Sequence, residues 1–268
     1  MKLYSAVRHI CSRWGRTLRA GVGTCWGVLL LGAQMVLLAF VPSSYRAGAQ
    51  RRAVLSQIYL ASAPLLTGFV VLSALISLVL IRIVVATAYS YGLSQFALEV
   101  LVRTLVLELI PLYAALFVAL RYAMPGAQRV RQQLALQLRG GAAPDPQQLL
   151  RSELLPRALG SFFSVLLLAA VSSMVALLLT YFTVYGFSPW GLPSYTRNVG
   201  SVFTPSMILI FSLKTLFFSL AVAIVPLAGC AQRDARGGYT RRSDMGEFAR
   251  LFSVLLLINI VSLVGNYY

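Results

Sequence analysis

Ala61–Ala88 reads ASAPLLTGFVVLSALISLVLIRIVVATA, 28 residues with one charge, Arg82. A helix needs about 20 predominantly apolar residues to cross the hydrocarbon core of a bilayer, so this stretch alone makes the chain a membrane protein. Four more stretches read as spans: Phe96–Leu120, Ala158–Gly186, Thr204–Ala228 and the shorter Phe248–Val264. The expected fold class is an all-α membrane protein with five transmembrane helices. Trp26–Val41 is a sixth apolar stretch, of 16 residues, with arginines on both sides and no clear small-residue cleavage site after it. It is expected to be an N-terminal interfacial helix anchored by Trp14 and Trp26, with a full sixth span as the alternative. On this reading residues 1–60 form a cytoplasmic or interfacial lead-in. Residues 61–268 form a five-span domain, interrupted by a cytoplasmic segment at 121–157.

The composition agrees. Of 268 residues 59% are apolar and 11% charged, against about 25% charged in a soluble domain. A soluble enzyme would lack its polar shell, and a disordered basic tail would be far less hydrophobic. There are 23 Lys+Arg against 7 Asp+Glu, a net charge of +16. No nucleic-acid partner is expected, because the basic residues alternate with long apolar runs instead of forming a water-exposed patch. Their distribution is topological. Nineteen lie before the first span, in the second-to-third and fourth-to-fifth connections or, for Arg250, at the cytoplasmic start of the last span; Arg197 alone lies on the other side, and three lie deeper within spans. The excess of positive charge on cytoplasmic loops then places the N-terminus in the cytoplasm and the C-terminus outside.

Several chemistries are not expected. Cys11, Cys25 and Cys230 form no CxxC pair, and His9 is the single histidine, so neither a disulfide framework nor a histidine metal site or triad is predicted. No GxxxxGK[ST] stretch occurs, so the chain itself is not expected to bind ATP, and no cofactor is assigned to it.

An ionisable side chain at the bilayer centre costs about 2.5–3.5 kcal/mol on insertion scales and is a candidate site by default. Four of the ionisable residues in the spans qualify: Arg82, Arg103, Glu108 and Lys214, while Glu99 and Arg250 lie within three residues of span ends. At 1.5 Å per residue, Glu108 and Lys214 fall about 18 and 15 Å below the outer starts of their spans, so opposite charges meet near one level. They are read either as a polar feature of a substrate cavity or as a structural tie fixing helix register. Pro111 should free a backbone carbonyl beside the carboxylate and open space around it. Arg82 and Arg103 lie within snorkelling distance of the outer surface.

Between spans two and three, Ala127–Leu138 reads as a basic amphipathic helix carrying Arg129, Arg131, Leu134 and Leu138, closed by Gly140-Gly141 and Pro144-Asp145-Pro146. It is expected to rest on lipid headgroups or to dock a partner subunit.

With these residues in view, the chain resembles the MlaE (YrbE-type) permease family. The resemblance runs through Gln57-Ile-Tyr59, Tyr91-Gly92, the run Glu108-Leu-Ile-Pro-Leu-Tyr-Ala-Ala-Leu-Phe-Val-Ala-Leu-Arg121, Pro156-Arg157, Ser212-Leu-Lys214 and Gly237-Gly238. The Glu108 run is similar to the family's ELGP-x-x-x-A-L-L-x-A-G-R block. Three features depart from the family pattern. Leu107 stands where the family has Arg, Arg82 replaces an amide at the end of span one, and Arg129, Arg131, Gln132 and Gln133 replace acidic residues of the coupling helix.

The resemblance implies a homodimeric permease subunit of an ABC-type lipid transporter in the bacterial inner membrane. Its implied partners are a cytoplasmic ABC ATPase that binds the ATP, a periplasmic MCE-type protein and a lipid substrate. Glu108, Lys214, Pro111 and Arg82 would line the lipid cavity, and Arg129, Arg131, Leu134 and Leu138 would couple the ATPase to the spans. Two other readings stay open: a scaffold that anchors an MCE protein without transport, and a secondary transporter using Glu108 as a proton carrier.

Overall fold

A computed structural model describes residues 27–28, 30–38, 48–92, 94–139, 146–231 and 244–267. Among the described residues there is helix and no strand. A short helix, α1 (residues 30–38), precedes α2 (Gly48–Ser90). A continuous rod, α3 (residues 94–139), follows, then a second rod, α4 (residues 146–185). The outer connection holds α5 (Leu192–Val202), and α6 (Pro205–Ala231) and α7 (Asp244–Tyr267) complete the chain. Among the described residues five helices are long and apolar enough to cross a membrane: Arg51–Ser90, Leu98–Gln137, Gln147–Tyr185, Pro205–Gly229 and Met245–Gly265. These contain the five predicted spans apart from residues near their ends. Three of the helices run well past the apolar limits at the arginine-rich end of the bundle, where polar residues continue the helix, in two cases through a proline, Pro125 and Pro156.

Of the sixth stretch, residues 30–38 are helical, and Leu31 and Met35 are buried. Gly32 lets this helix lie against α6: a Cβ there would come 2.9 Å from the Ile224 side chain. Trp14, Trp26, the side chain of Cys230, and Gly237-Gly238 lie outside the described residues, as do Cys11, Cys25 and His9.

The rods are not uniform α-helix. In α3, Val102–Leu109 and Ala119–Ala123 are π-helical, and in α4 so is Leu150–Leu154. A proline stands two residues beyond each: Pro111, Pro125 and Pro156. Proline cannot donate to the carbonyl four residues back, and its ring clashes there; a wider π turn relieves that clash and lets the helix continue. This is why Pro125 does not separate the amphipathic segment from span two. The segment is the end of α3, not an independent helix.

Nor does that segment lie free on headgroups. Ala127, Val130 and Leu134 are all buried, and Ala127 and Val130 pack with Leu31, Met35, Leu154 and Leu227 of the same chain. The structure shows the buried stripe of this segment to be Ala127, Val130 and Leu134, at i, i+3 and i+7.

A central core joins α2, α3, α4, α6 and α7 through Phe69, Val118, Leu168, Phe218 and Leu255. Without a hydrophobic drive between helices in lipid, close approach relies on small residues and on side-chain hydrogen bonds. The α2–α4 seam uses both. Ser164 Oγ donates to the Ala61 carbonyl at 2.8 Å. Gly160 leaves room for the Tyr122 hydroxyl, which a Cβ would approach to 2.7 Å, and that hydroxyl lies 2.7 Å from Gln57 Oε1.

The outer connection is more ordered than an interfacial loop. Gly186, at φ +67°, ends α4 in a conformation that favours glycine. Tyr195 of α5 then packs edge-on against Tyr181 and Tyr185, and its hydroxyl donates to the Leu177 carbonyl at 2.8 Å. Burial, with Tyr185 beside it, pushes the Tyr195 hydroxyl up to about 12. Phe187 and Trp190 remain exposed, as expected of interfacial anchors.

Candidate functional site

The π-helical stretch of α3 ends in Leu107, Glu108 and Leu109, and from it the Glu108 carboxylate and the Leu107 carbonyl reach Lys214 in the middle of α6. Lys214 of α6 is buried, with its side chain 1% exposed, and Glu108 is nearly so at 12%. Lys214 Nζ donates to Glu108 Oε2. Phe218, one turn along α6 from Lys214, is fully buried. The Phe218 ring centroid is 5.8 Å from Nζ, within reach of a cation–π attraction.

Lys214 also lies 3.4 Å from the carbonyl oxygen of Leu107. Leu107 is the residue four before Pro111, whose nitrogen carries no hydrogen to offer that oxygen. The proline therefore leaves an acceptor that the lysine takes up, which gives physical content to the freed carbonyl anticipated from sequence. Replacing Pro111 by Ala restores the helical donor and competes for that acceptor. A hydrogen bond to a charged group contributes about 1.5–3 kcal/mol, so Pro111→Ala should lower, roughly tenfold, the lipid transport that the resemblance implies, with little loss of thermal stability. Unchanged transport would show that the Leu107 carbonyl plays no part in the site.

The other predicted residues distribute unevenly. Arg82 is exposed, one step past the fully buried Ile81, and one residue is enough to turn a side chain about 100° away. The structure does not bring it to the Glu108–Lys214 pair. Arg103 is half-buried, with Nη2 4.0 Å from the Met207 sulfur. In the amphipathic segment Arg129 is exposed and Leu134 is buried, while the Leu138 side chain lies outside the described residues.

Arg131 turns inward to a second ion pair. Its guanidinium donates to Glu247 Oε2 at the start of α7, and Nη2 lies 3.5 Å from the Pro226 carbonyl of α6. Gly229 makes the space, since a Cβ there would come 2.5 Å from Glu247 Oε1. Reading loop charges only as a count hides this contact. Glu247 is one of seven acids in the chain and immediately precedes the last apolar run, which is the signal that could have marked it.

Among the described residues two nearly buried ion pairs thus tie α3 to its neighbours, one at mid-bundle and one at the arginine-rich end. The family model described as Permease MlaE matches residues 54–264, most of the chain. The chain belongs to the MlaE permease family. It is accordingly a multi-pass membrane permease of the lipid ABC-transporter type, a transport component and not a catalytic enzyme. No curated protein matches it. Within this MlaE-family permease the mid-bundle pair is the best-defined polar feature of the spans, and its arrangement suits either holding a charged headgroup or locking one conformation until a competing charge arrives.

Proposed function

We propose that this MlaE-family permease moves a phospholipid between the bacterial inner membrane and a periplasmic MCE-type protein, as a homodimer driven by a cytoplasmic ABC ATPase. In this reading the N-terminus is cytoplasmic and the C-terminus periplasmic, in line with the nineteen-to-one division of loop charge. Glu108 and Lys214 form the exchangeable lock of the lipid path. The observation that supports it is the desolvated pair itself: an ammonium and a carboxylate in the spans, anchored by Pro111 and Leu107. A phosphate can replace the carboxylate as partner of Lys214, and lipid entry would then release α3 from α6. The end of α3, with Arg129 and Arg131, carries ATPase motion toward α6 and α7.

The test uses the detergent-solubilised chain. An ABC ATPase and an MCE-type protein should copurify, and the reconstituted complex should transfer fluorescent phospholipid only with ATP. Transfer that survives removal of the ATPase but collapses with an uncoupler would replace this reading with proton-coupled transport through Glu108. Copurification with neither lipid transfer nor stimulated ATP hydrolysis would leave a scaffold.

A further inference from the structure

A groove of about 530 Å³ lies at the arginine-rich end of the bundle, between α1, the start of α2, the first half of α4 and the second half of α6. Met35, Val54, Leu155, Phe163, Leu216 and Ile224 mark its walls, and every side chain lining it is apolar. Phe163 and Leu216 stay 45% and 40% exposed, so the groove opens to the surface. It is separate from the Glu108–Lys214 pair: Leu216 is two residues beyond Lys214, about 200° around α6.

Leu155 to Phe163 and Leu216 to Ile224 each cover about 12 Å along their helices, so the groove is long enough to take an extended acyl chain lengthwise. The shallow end also meets charge. Arg51 precedes Val54 by three residues and Arg151 precedes Leu155 by four, which places each arginine on the face of its groove-lining neighbour, one turn nearer the water. Both are exposed.

We propose that this groove holds one acyl chain of an anionic phospholipid from the leaflet at the arginine-rich end, with its phosphate against Arg51 and Arg151. The site is thus a second lipid position, on the opposite face of α6 from the ion pair, and it stands whether or not that pair lies on the transport path.

The full-length Phe163→Trp chain, reconstituted in phosphatidylcholine bilayer discs, reports on it. Its added fluorescence over the parent chain is followed as dibrominated phosphatidylglycerol or dibrominated phosphatidylcholine replaces the host lipid. Half-quenching is expected at a roughly tenfold lower mole fraction of the anionic lipid, the preference two headgroup-facing arginines supply. Arg51→Gln with Arg151→Gln in the same background should bring the two lipids within about twofold. Equal quenching by both lipids in the Phe163→Trp chain would mean ordinary boundary lipid and overturn the proposal. So would no quenching by either, which means that protein covers the groove, or a preference that survives loss of both arginines. Native mass spectrometry of phosphatidylglycerol retained by the unlabelled chain, with and without the two arginines, gives the same discrimination if Phe163→Trp is not recovered.

Discussion

Lys214→Met in a chain that keeps Glu108 should lose about 3–5 kcal/mol of stability and all measurable lipid transport. The lysine side chain is 1% exposed and the carboxylate 12%, so removing one partner strands the other in a desolvated setting. Glu108→Gln should behave similarly, although the Leu107 carbonyl and the Phe218 ring still cushion the ammonium. The informative variant is the double one. With both charges gone no ion remains to be desolvated, and replacing a buried pair by neutral groups of similar size is often near neutral. Stability should therefore return to within about 1–2 kcal/mol of the parent, as read by thermal unfolding in detergent. Transport should not return. If the double variant carries lipid at the parent rate, the pair is a register tie and the lock assigned to it must be given up.

At the other ion pair, Gly229→Ala should destabilise the protein by about 2 kcal/mol. Helix propensity alone predicts the reverse, since Ala is favoured over Gly by about 1 kcal/mol in a helix interior. The packing decides it. The new methyl would stand 2.5 Å from Glu247 Oε1 and 3.1 Å from Arg131 Nη2, and the Arg131–Glu247 contact must open to admit it. Because that contact ties the end of α3 to α7, fewer lipids should move per ATP hydrolysed, while ATP hydrolysis itself continues. A gain in melting temperature with unchanged coupling would show that the clamp yields freely and transmits nothing.

Much of this was legible in residue order. An apolar run of about 17 or more residues has one inexpensive environment, so the five spans could be read without knowing what they touch. Glu108 and Lys214 could be matched by depth, because helical rise converts residue number into distance along the membrane normal. The amphipathic segment was legible as a helix and not as the end of α3, since Pro125 suggests a break unless the π turn at Ala119–Ala123 is known. Arg82 shows the other limit. Its depth was readable, but the face it occupies depends on which side of α2 the rest of the bundle covers.

Residue type and spacing by themselves determine that this chain is a five-span helical membrane protein with a carboxylate and an ammonium deep in its spans. That follows from local transfer free energies, which depend on composition and length alone. Only tertiary structure decides that Lys214 also takes the carbonyl left by Pro111, that Arg131 leaves the solvent for Glu247, and that Gly229 makes room for it. Those are matters of a few ångströms between residues about 100 positions apart, set by how helices pack around small side chains, and no periodicity along the chain encodes them.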